Sequence, residues 1–393
     1  MDVQNNIQDF NEFKVLGFST NVFNIVHIIT MSAEIKRQFP DKKIIFGGTH
    51  ITTNIDLAKI VLKCGIADAV ILGEGEEALL SYLNDNMKLN NKDIFSNGCM
   101  VYNKKKKQFA MSRSKSCIGI NNLPFPDYTA QIFHPEDNLH IHTLRSCKFG
   151  CAYCSVPGLG YIYKRMEPEK AVETMDFLYK KYGNKSFFIN DSAFNYSTEW
   201  IEQFVDILLK CKHNFKWSAN FSPANPLSRE LVKQMLSAGL TEARIGIESF
   251  SNRVLKNMNR PHSSTDAYEI IHNFASSKIP VLLWMVYGFP GETKKDFFIS
   301  LKAVVKILNK YDNIIFENNW FMPVYASKCF YDFKKYNIKF KTLAEVVDPE
   351  NIPLEVKEII KNMPFYVEGV NSRIKKKRTT HVNRIIDFRH RST

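Results

Sequence analysis

The chain has 393 residues, 45% hydrophobic and 24% charged, a composition that indicates a globular protein and excludes a disordered or fibrous one. Its formal net charge of +13 comes from 53 Lys and Arg against 40 Asp and Glu, and it is concentrated in residues 104–107 and in the tail of residues 371–393. Such runs are typical of solvated surface segments, so nucleic acid is not an expected partner.

The N-terminal stretch MDVQNNIQDFNEF lacks the basic and apolar regions of a secretory signal. No apolar run reaches the roughly 20 residues that a membrane helix needs. We therefore expect no transmembrane segment and a cytoplasmic location. In that reducing compartment the eight cysteines are expected to be metal ligands or buried thiols rather than disulfides.

Residues 1–85 predict an incomplete α/β domain. The segments FKVLGFST, KKIIFGGTH and ADAVILGEGE are short apolar runs that end in turns rich in glycine, and helical patterns lie between them. This pattern is typical of buried parallel strands joined by crossover helices. It predicts a doubly wound, Rossmann- or flavodoxin-like domain that is truncated by one strand at its N-terminus.

Residues 86–135 predict a linker. They contain a short hairpin around VYNKKKKQFAM and the segment LPFPDY, whose prolines break helices and central strands. From residue 136 to residue 325, strand and helix patterns alternate six times, which predicts a partial (β/α)6 TIM-type barrel. Residues 326–393 form a C-terminal region with at most two helices before the basic tail.

Three cysteines follow the first barrel strand in the segment TLRSCKFGCAYCSVPG. Cys147, Cys151 and Cys154 have the spacing C-x₃-C-x₂-C, which allows one loop to place three thiolates on one face of an iron–sulfur cubane and to leave the fourth iron open. The alternative is a zinc site. Zinc prefers four ligands, and His142 is the nearest candidate for the fourth.

The cysteine loop, with Tyr153 as its aromatic residue, resembles the hallmark of the radical S-adenosylmethionine (SAM) superfamily. The segments SFFINDSAFN, WSANF, RIGIESFSNRVLKNMNR and VYGFPGET follow in the order of the SAM-binding strands of that family. The resemblance implies a [4Fe–4S] cluster on the three cysteines. It also implies a SAM site formed by Tyr153, Asn190, Asp191, Asn220, Glu248, Ser249, Tyr287, Gly288, Phe289 and Gly291.

The segments GFST, FGGTH and LGEGEEAL resemble the cobalamin-binding domain that precedes the barrel in one branch of the superfamily. The resemblance implies cobalamin contacts from Ser19, Gly47, Gly48, Gly73 and Gly75. The alternative is that the glycines only form tight turns. A missing first strand would also remove one wall of the pocket, so cobalamin binding stays open. His50 is interpreted as a partner of a neighbouring turn rather than as a ligand.

The resemblance implies an anaerobic enzyme that reductively cleaves SAM to a 5′-deoxyadenosyl radical, with a flavodoxin or ferredoxin as electron donor. Methyl transfer of the cobalamin type, or a related C–H activation, is the expected reaction on a small-molecule or peptide substrate. Trp320, Phe321 and Tyr325 follow the sixth barrel strand and either line the substrate pocket or belong to the core. The alternative function is a degenerate paralogue that binds a cluster for docking or electron transfer without turnover.

Overall fold

The computed structural model describes residue 10 and residues 12–84, 98–111, 118–129, 137–159, 161–342 and 364–366. Contacts divide these residues into two compact units. The first unit contains the described residues within Met1–Ile118, Cys154–Tyr161 and Pro323–Glu368. The second unit contains Gly119–Tyr153 and Ile162–Met322.

The first unit is built on a five-stranded sheet. Its strands are β1 (Val15–Ser19), β2 (Lys43–Gly47), β3 (Ala69–Ile71), β4 (Cys99–Asn103) and β5 (Gln108–Met111), in this spatial order. The pairs β1–β2 and β2–β3 are parallel, whereas β3–β4 and β4–β5 are antiparallel. The helices are α1 (Ile25–Gln38), α2 (Thr49–Thr53), α3 (Ile55–Lys63) and α4 (Glu76–Asn84).

The hairpin expected around VYNKKKKQFAM is present as β4 and β5. It falls in the predicted linker of residues 86–135, but in the structure it extends the first sheet, because Ala69, Val70 and Ile71 of β3 pair with β4. The local sequence predicts the hairpin itself. Its pairing with β3 depends on a contact about thirty residues away along the chain, which no local pattern encodes.

The second unit is built on a six-stranded, wholly parallel sheet. In chain order its elements are β6 (Leu139–Ile141), β7 (Leu144–Arg145), β8 (Lys164–Arg165), α5 (Pro168–Tyr182), β9 (Ser186–Ile189), α6 (Thr198–Lys210), β10 (Lys216–Phe221), α7 (Arg229–Ser237), β11 (Leu240–Glu248), α8 (Asn252–Asn257), α9 (Ser264–Ala275), β12 (Val281–Tyr287), α10 (Lys294–Lys310) and β13 (Ile314–Trp320). The sheet order is β13-β12-β11-β10-β9-β6, with β6 and β13 at its edges. The predicted α/β class and partial six-stranded barrel are confirmed.

Period-two alternation places the core of this unit on one face of the sheet. Along β12, Val281, Leu283, Met285 and Tyr287 are buried and belong to the large hydrophobic core, whereas the residues between them are half-buried. Helix α10 packs its apolar face on the same core and begins with a capping box of Thr293 and Asp296. The helices therefore hold the strand ends in fixed positions.

Beyond these elements, the first unit contains α11 (Lys328–Tyr331) and an antiparallel pair, β14 (Phe340–Thr342) and β15 (Pro364–Tyr366). The basic tail of residues 371–393 and most of the predicted C-terminal region lie outside the described residues. In the part of the chain that the structure describes, no helix combines the length and the apolarity needed to cross a bilayer.

Candidate functional site

The predicted SAM-binding residues of the second unit lie at one edge of the parallel sheet. Asn190 directly follows β9, Asn220 lies near the end of β10, Glu248 ends β11 and Tyr287 ends β12. The carboxyl ends of parallel strands meet at the same edge, which is where α/β proteins place their ligands. The cysteine loop starts at this edge too, because it follows the short strand β7.

The middle of the cysteine loop is held by the segment that follows α8. The backbone N–H of Ala152 donates to the carbonyl of Met258 at 2.8 Å, and Nδ2 of Asn259 donates to the carbonyl of Gly150 at 2.6 Å. These contacts join residues more than a hundred positions apart. They fix the loop backbone between Cys147 and Cys154 without using any of the three thiols.

Cys147 and Cys151 each have a hydrogen-bonding partner outside the loop. The phenol oxygen of Tyr196 lies 2.8 Å from Cys147 Sγ and accepts from the Lys148 N–H at 3.2 Å, so its own proton is free to point at the sulfur. Burial and this sulfur raise the pKa of Tyr196. Nη1 of Arg260 lies 3.3 Å from Cys151 Sγ. Cys154 is half-buried and directly follows Tyr153.

Arg260 is the centre of a buried polar group. Its Nη1 is 3.3 Å from the hydroxyl of Tyr153 and 3.9 Å from Oε1 of Glu248, and its Nη2 donates to the carbonyl of Gly246 at 2.8 Å. The side chains of Arg260 and Glu248 are 9% and 11% exposed. Burial raises the pKa of Glu248, and Arg260 opposes this shift. Burial alone would lower the pKa of Arg260, but its acidic neighbours outweigh it and the pKa is raised.

Glu248 is held in an uncommon backbone conformation. Its φ is +65°, and the pairing of β11 with β12 shifts register between Gly246 and Glu248. A Cβ on Gly246 would lie 2.8 Å from Oε1 of Glu248, so a larger residue would displace this carboxylate. Strained, left-handed residues at bulges are typical of functional sites, where surrounding contacts keep them in place.

The donor set around the loop fits an iron–sulfur cluster. Thiolates that hold iron accept hydrogen bonds and are stabilised by positive charge. Tyr196 offers a hydrogen bond to Cys147, and Arg260 offers a hydrogen bond and a positive charge to Cys151. Among the described residues, no three His, Cys, Asp or Glu side chains converge closely enough to hold a single metal ion. Each cysteine ligand of a cubane binds a different iron, so the ligands need not converge on one point. The absence of such a group among the described residues therefore bears only on a mononuclear site such as zinc.

The carboxylate of Asp191 is engaged by the protein itself. It is fully buried, accepts from the backbone N–H of Thr143 at 2.8 Å and from the Thr143 hydroxyl, and lies 3.7 Å from Nη1 of Arg165. Burial raises the pKa of Asp191, while Arg165 and Thr143 oppose the shift. Its backbone carbonyl accepts from Nδ2 of Asn220 at 2.8 Å. Asn190 is exposed, and its N–H donates to Ile141.

Asn220 offers an acceptor for a ligand. Its Oδ1 is buried and finds no hydrogen-bond donor within the described part of the chain, and a buried acceptor of this kind carries a free-energy cost that a ligand donor would remove. Ser249 is less available, because its buried hydroxyl lies 3.1 Å from the Ser300 hydroxyl and accepts from the Ser251 N–H.

The turn after β12 is fixed by its own acid. The N–H of Gly288 donates to Oε2 of Glu292 at 2.8 Å, and the carbonyl of Tyr287 accepts from Phe321. Gly291 has φ +83° and nothing closer than 3.7 Å to a built Cβ, so its outer side is open. The Phe289 ring is buried against Phe321, which makes these two aromatic residues part of the packing under the turn.

The predicted cobalamin residues lie at the carboxyl edge of the first sheet. Ser19 ends β1, Gly47 ends β2, and Gly73 and Gly75 follow β3. Gly48 has φ +94°, and a Cβ there would lie 2.6 Å from the backbone of Thr20 and 2.9 Å from Oγ of Ser19. A Cβ on Gly47 would have only ordinary contacts, with Ile71 at 3.9 Å, and one on Gly75 would press on Ile71 Cγ2 at 3.3 Å. Gly73 has φ +84° and no atom within 4 Å of a built Cβ.

His50 and Thr20 complete this edge. The Thr20 hydroxyl donates to the carbonyl of Gly47 at 2.7 Å and accepts from Ile51 at 3.1 Å. The backbone N–H of His50 donates to the carbonyl of Thr20 at 3.1 Å. The His50 ring lies 5.1 Å from the Tyr325 ring within the same unit. Burial lowers the pKa of His50 to about 4, so its ring is neutral near pH 7.

Several residues that contact the predicted site residues have no role in the sequence-based prediction. Arg260 lies in the quoted segment RIGIESFSNRVLKNMNR and Thr20 in GFST, neither with a predicted role, and Tyr196 and Arg165 lie outside the quoted segments. A charged residue that follows a helix is by itself only a weak indication of a functional role. Its meaning depends on the fold, which returns Arg260 to Cys151 from 109 residues away.

Comparison with known proteins relates the middle of the chain to one family. Residues 141–304 match the model of the radical SAM superfamily. An uncharacterised methyltransferase of Pyrococcus horikoshii is 24% identical over 75% of this chain and 64% of its own length. The bacteriochlorophyllide d C-12(1)-methyltransferase of Chlorobaculum tepidum is 23% identical over 74% of this chain and 60% of its own length. The chain therefore covers less than two thirds of either relative.

Solved structures agree in fold. The radical SAM methyltransferase TsrM from Kitasatospora setae, solved with cobalamin and a [4Fe–4S] cluster, aligns with a TM-score of 0.71 at 14% identity and covers 94% of this chain and 80% of its own. The cobalamin-dependent SAM radical enzyme OxsB aligns with a TM-score of 0.69 at 13% identity, over 93% of this chain and 58% of its own. Residues 141–304 therefore match a radical SAM domain, and the chain shares the fold of TsrM and OxsB.

Proposed function

We propose that this chain is a radical SAM enzyme that holds a [4Fe–4S] cluster on Cys147, Cys151 and Cys154. The observation that carries the proposal is the buried group of Arg260, Glu248 and Tyr153 around Cys151. It lies at the ligand-binding edge of a six-stranded parallel sheet, inside the segment that matches the family model. The predicted cluster ligand Cys151, the buried cation of Arg260 and the carboxylate of Glu248 lie together at this edge, which supports cofactor binding rather than packing alone.

When bound there, the cluster supplies one electron that breaks a carbon–sulfur bond of SAM. The protein contributes orientation and exclusion of water. In this proposal Glu248 and the free acceptor Oδ1 of Asn220 receive hydrogen bonds from SAM, and the backbone turn of Gly288, Phe289 and Gly291 lies against the adenine. Ser249, Asn190 and Asp191 shape the pocket through the contacts described above.

Methyl transfer with cobalamin is the proposed reaction class. The carboxyl edge of the first sheet carries the glycine turns that the resemblance assigns to cobalamin. The open side of Gly73 leaves space for a ligand there. The relatives that carry methyltransferase names and the fold shared with TsrM and OxsB support this class. A flavodoxin or ferredoxin in a reducing cytoplasm would supply the electron, and a small molecule or peptide would accept the methyl group.

Anaerobic reconstitution tests the proposal. The wild-type chain should take up about four iron and four sulfide and should form 5′-deoxyadenosine or S-adenosylhomocysteine from SAM under reduction. Cys151→Ser should lose cluster and product together. Cys64→Ser is the matched control, because Cys64 is an exposed thiol of the first unit, and it should retain both.

Two results would contradict this function. A chain that holds four irons but converts no SAM would indicate the docking or electron-transfer paralogue. A chain that folds and takes up no iron would contradict both. Cobalamin is tested separately by adding hydroxocobalamin and measuring the visible spectrum of the protein after desalting.

A further inference from the structure

Two cysteines of the loop differ in what their sulfurs meet. Cys147 Sγ faces the neutral phenol of Tyr196 at 2.8 Å, whereas Cys151 Sγ faces the charged guanidinium of Arg260 at 3.3 Å. Cys151 is buried, 6% exposed, so water screens this charge poorly. A fixed positive charge beside one thiolate of a cluster favours the state with one more electron.

The same guanidinium is fixed in place by uncharged and acidic partners. Nη2 donates to the carbonyl of Gly246, and Nη1 faces both Tyr153 and Glu248. Its Nε is buried and has no hydrogen-bond acceptor among the described residues. A planar fork with donors in fixed directions can serve Cys151 and the β11 strand end together, which a lysine ammonium cannot do in the same geometry.

We propose that Arg260 is a positioning residue that raises the reduction potential of the cluster through Cys151 and couples the cluster to Glu248. The inference rests on the proposed function, since it needs a cluster on the three cysteines. Reduction adds one electron from an external reductant, and no bond is made or broken in this step. Arg260 stabilises the added negative charge, and Glu248 reduces that effect by pairing with Arg260.

The arrangement predicts shifts of opposite sign for two neutral substitutions. Arg260→Gln removes the positive charge while keeping a donor for Gly246, so the cluster becomes harder to reduce. Glu248→Gln removes the negative charge that offsets Arg260, so the cluster becomes easier to reduce. A general loosening of the site would move both variants in the same direction.

Redox titration of the anaerobically reconstituted protein tests this, with dithionite as reductant and the signal of the reduced cluster as readout. At the wild-type midpoint, Arg260→Gln should show a ratio of reduced to oxidised cluster about tenfold lower, a shift of about 59 mV for one electron. Arg260→Lys should recover part of the ratio, and Glu248→Gln should exceed the wild-type ratio. Arg229→Gln, on an exposed position of α7, is the matched control and should titrate as wild type.

A fully loaded Arg260→Gln protein with the wild-type midpoint would overturn the inference, as would shifts in the same direction for Arg260→Gln and Glu248→Gln. Where Arg260→Gln does not retain iron, Arg260→Lys decides. Four irons in the lysine variant support a role for the charge, and loss of iron there too indicates a structural role only. A wild-type chain that takes up no iron removes the proposed function itself.

Discussion

At the scale of single residues, Asp191 and Arg165 form a buried pair of opposite charge. The two groups are 3.7 Å apart, with side chains 0% and 13% exposed, and the Arg165 guanidinium lies 3.8 Å above the Trp200 ring. Its three nitrogens have no hydrogen-bond acceptor among the described residues. Asp191 is therefore the group that compensates this charge.

Asp191→Asn should lower the free energy of unfolding of the second unit by about 3 kcal/mol, because it leaves a buried arginine without its counter-charge. Urea unfolding at neutral pH measures the change. Asp312→Asn is the control, since Asp312 pairs with Lys278 at an exposed site, and it should leave stability essentially unchanged. Equal losses in the two variants would contradict the compensating role of Asp191.

Two glycines at the carboxyl edge of the first sheet differ in why they are glycine. Gly48 combines positive φ with a close approach to Thr20, whereas Gly73 has positive φ and open space around it. Gly48→Ala should therefore cost about 3 kcal/mol or more, and Gly73→Ala about 1 kcal/mol from backbone strain alone. Thermal unfolding should show the larger loss for Gly48→Ala. If Gly73→Ala folds well but weakens cobalamin binding, the open side of Gly73 is the ligand side.

At the scale of elements, α9 and α10 begin in the same way but differ in what their capping acid contacts. Both start with a capping box, Ser263 with Asp266 and Thr293 with Asp296. Asp296 also accepts from Ser251 at 2.7 Å and from the Arg253 side chain, which ties α10 to the start of α8. Burial would raise the pKa of Asp296, but its hydrogen bonds from Arg253, Thr293 and Ser251 outweigh burial and lower the pKa.

Asp296→Ala should consequently destabilise the protein by about 2 kcal/mol more than Asp266→Ala, whose loss is limited to about 1 kcal/mol of capping. Because α8 leads into the segment that holds the cysteine loop, only Asp296→Ala should also speed the loss of iron from reconstituted protein. Chemical unfolding and timed iron release to a chelator measure the two effects. Equal effects of the two variants would show that the link to α8 is unimportant.

At the scale of the whole molecule, the sequence predicted elements and strand ends better than long-range partners. Periodicity indicated the six parallel strands. The residues predicted to bind SAM lie at the ends of these strands, and strand polarity puts all carboxyl ends on one edge. The pairing of β4 with β3, the Arg260–Cys151 contact and the Arg165–Asp191 pair join residues far apart in sequence. Their residue types are compatible with many partners, so only the folded chain selects one.

Each unit of the molecule also carries a histidine that is neutral because it is buried. Burial lowers the pKa of His50 to about 4 in the first unit and, with help from Arg260, that of His262 to about 3 in the second. His262 is held by a contact of Nε2 with the Ile247 carbonyl at 3.2 Å. In an unfolded chain both rings would titrate near their ordinary value of about 6.5.

Acid should therefore destabilise both units below about pH 6.5, because the unfolded state then binds protons that the folded state refuses. Between pH 6.5 and pH 5, His50 alone should reduce the free energy of unfolding by about 1.5 kcal/mol, because the slope approaches 1.36 kcal/mol per pH unit only once the unfolded ring is fully protonated. His50→Leu should remove this slope from the first unit and leave the slope from His262, whereas His27→Leu, at an exposed position of α1, should leave both. Urea unfolding followed at several pH values measures the slopes. A His50→Leu protein that keeps the full acid dependence would show that His50 does not titrate with folding.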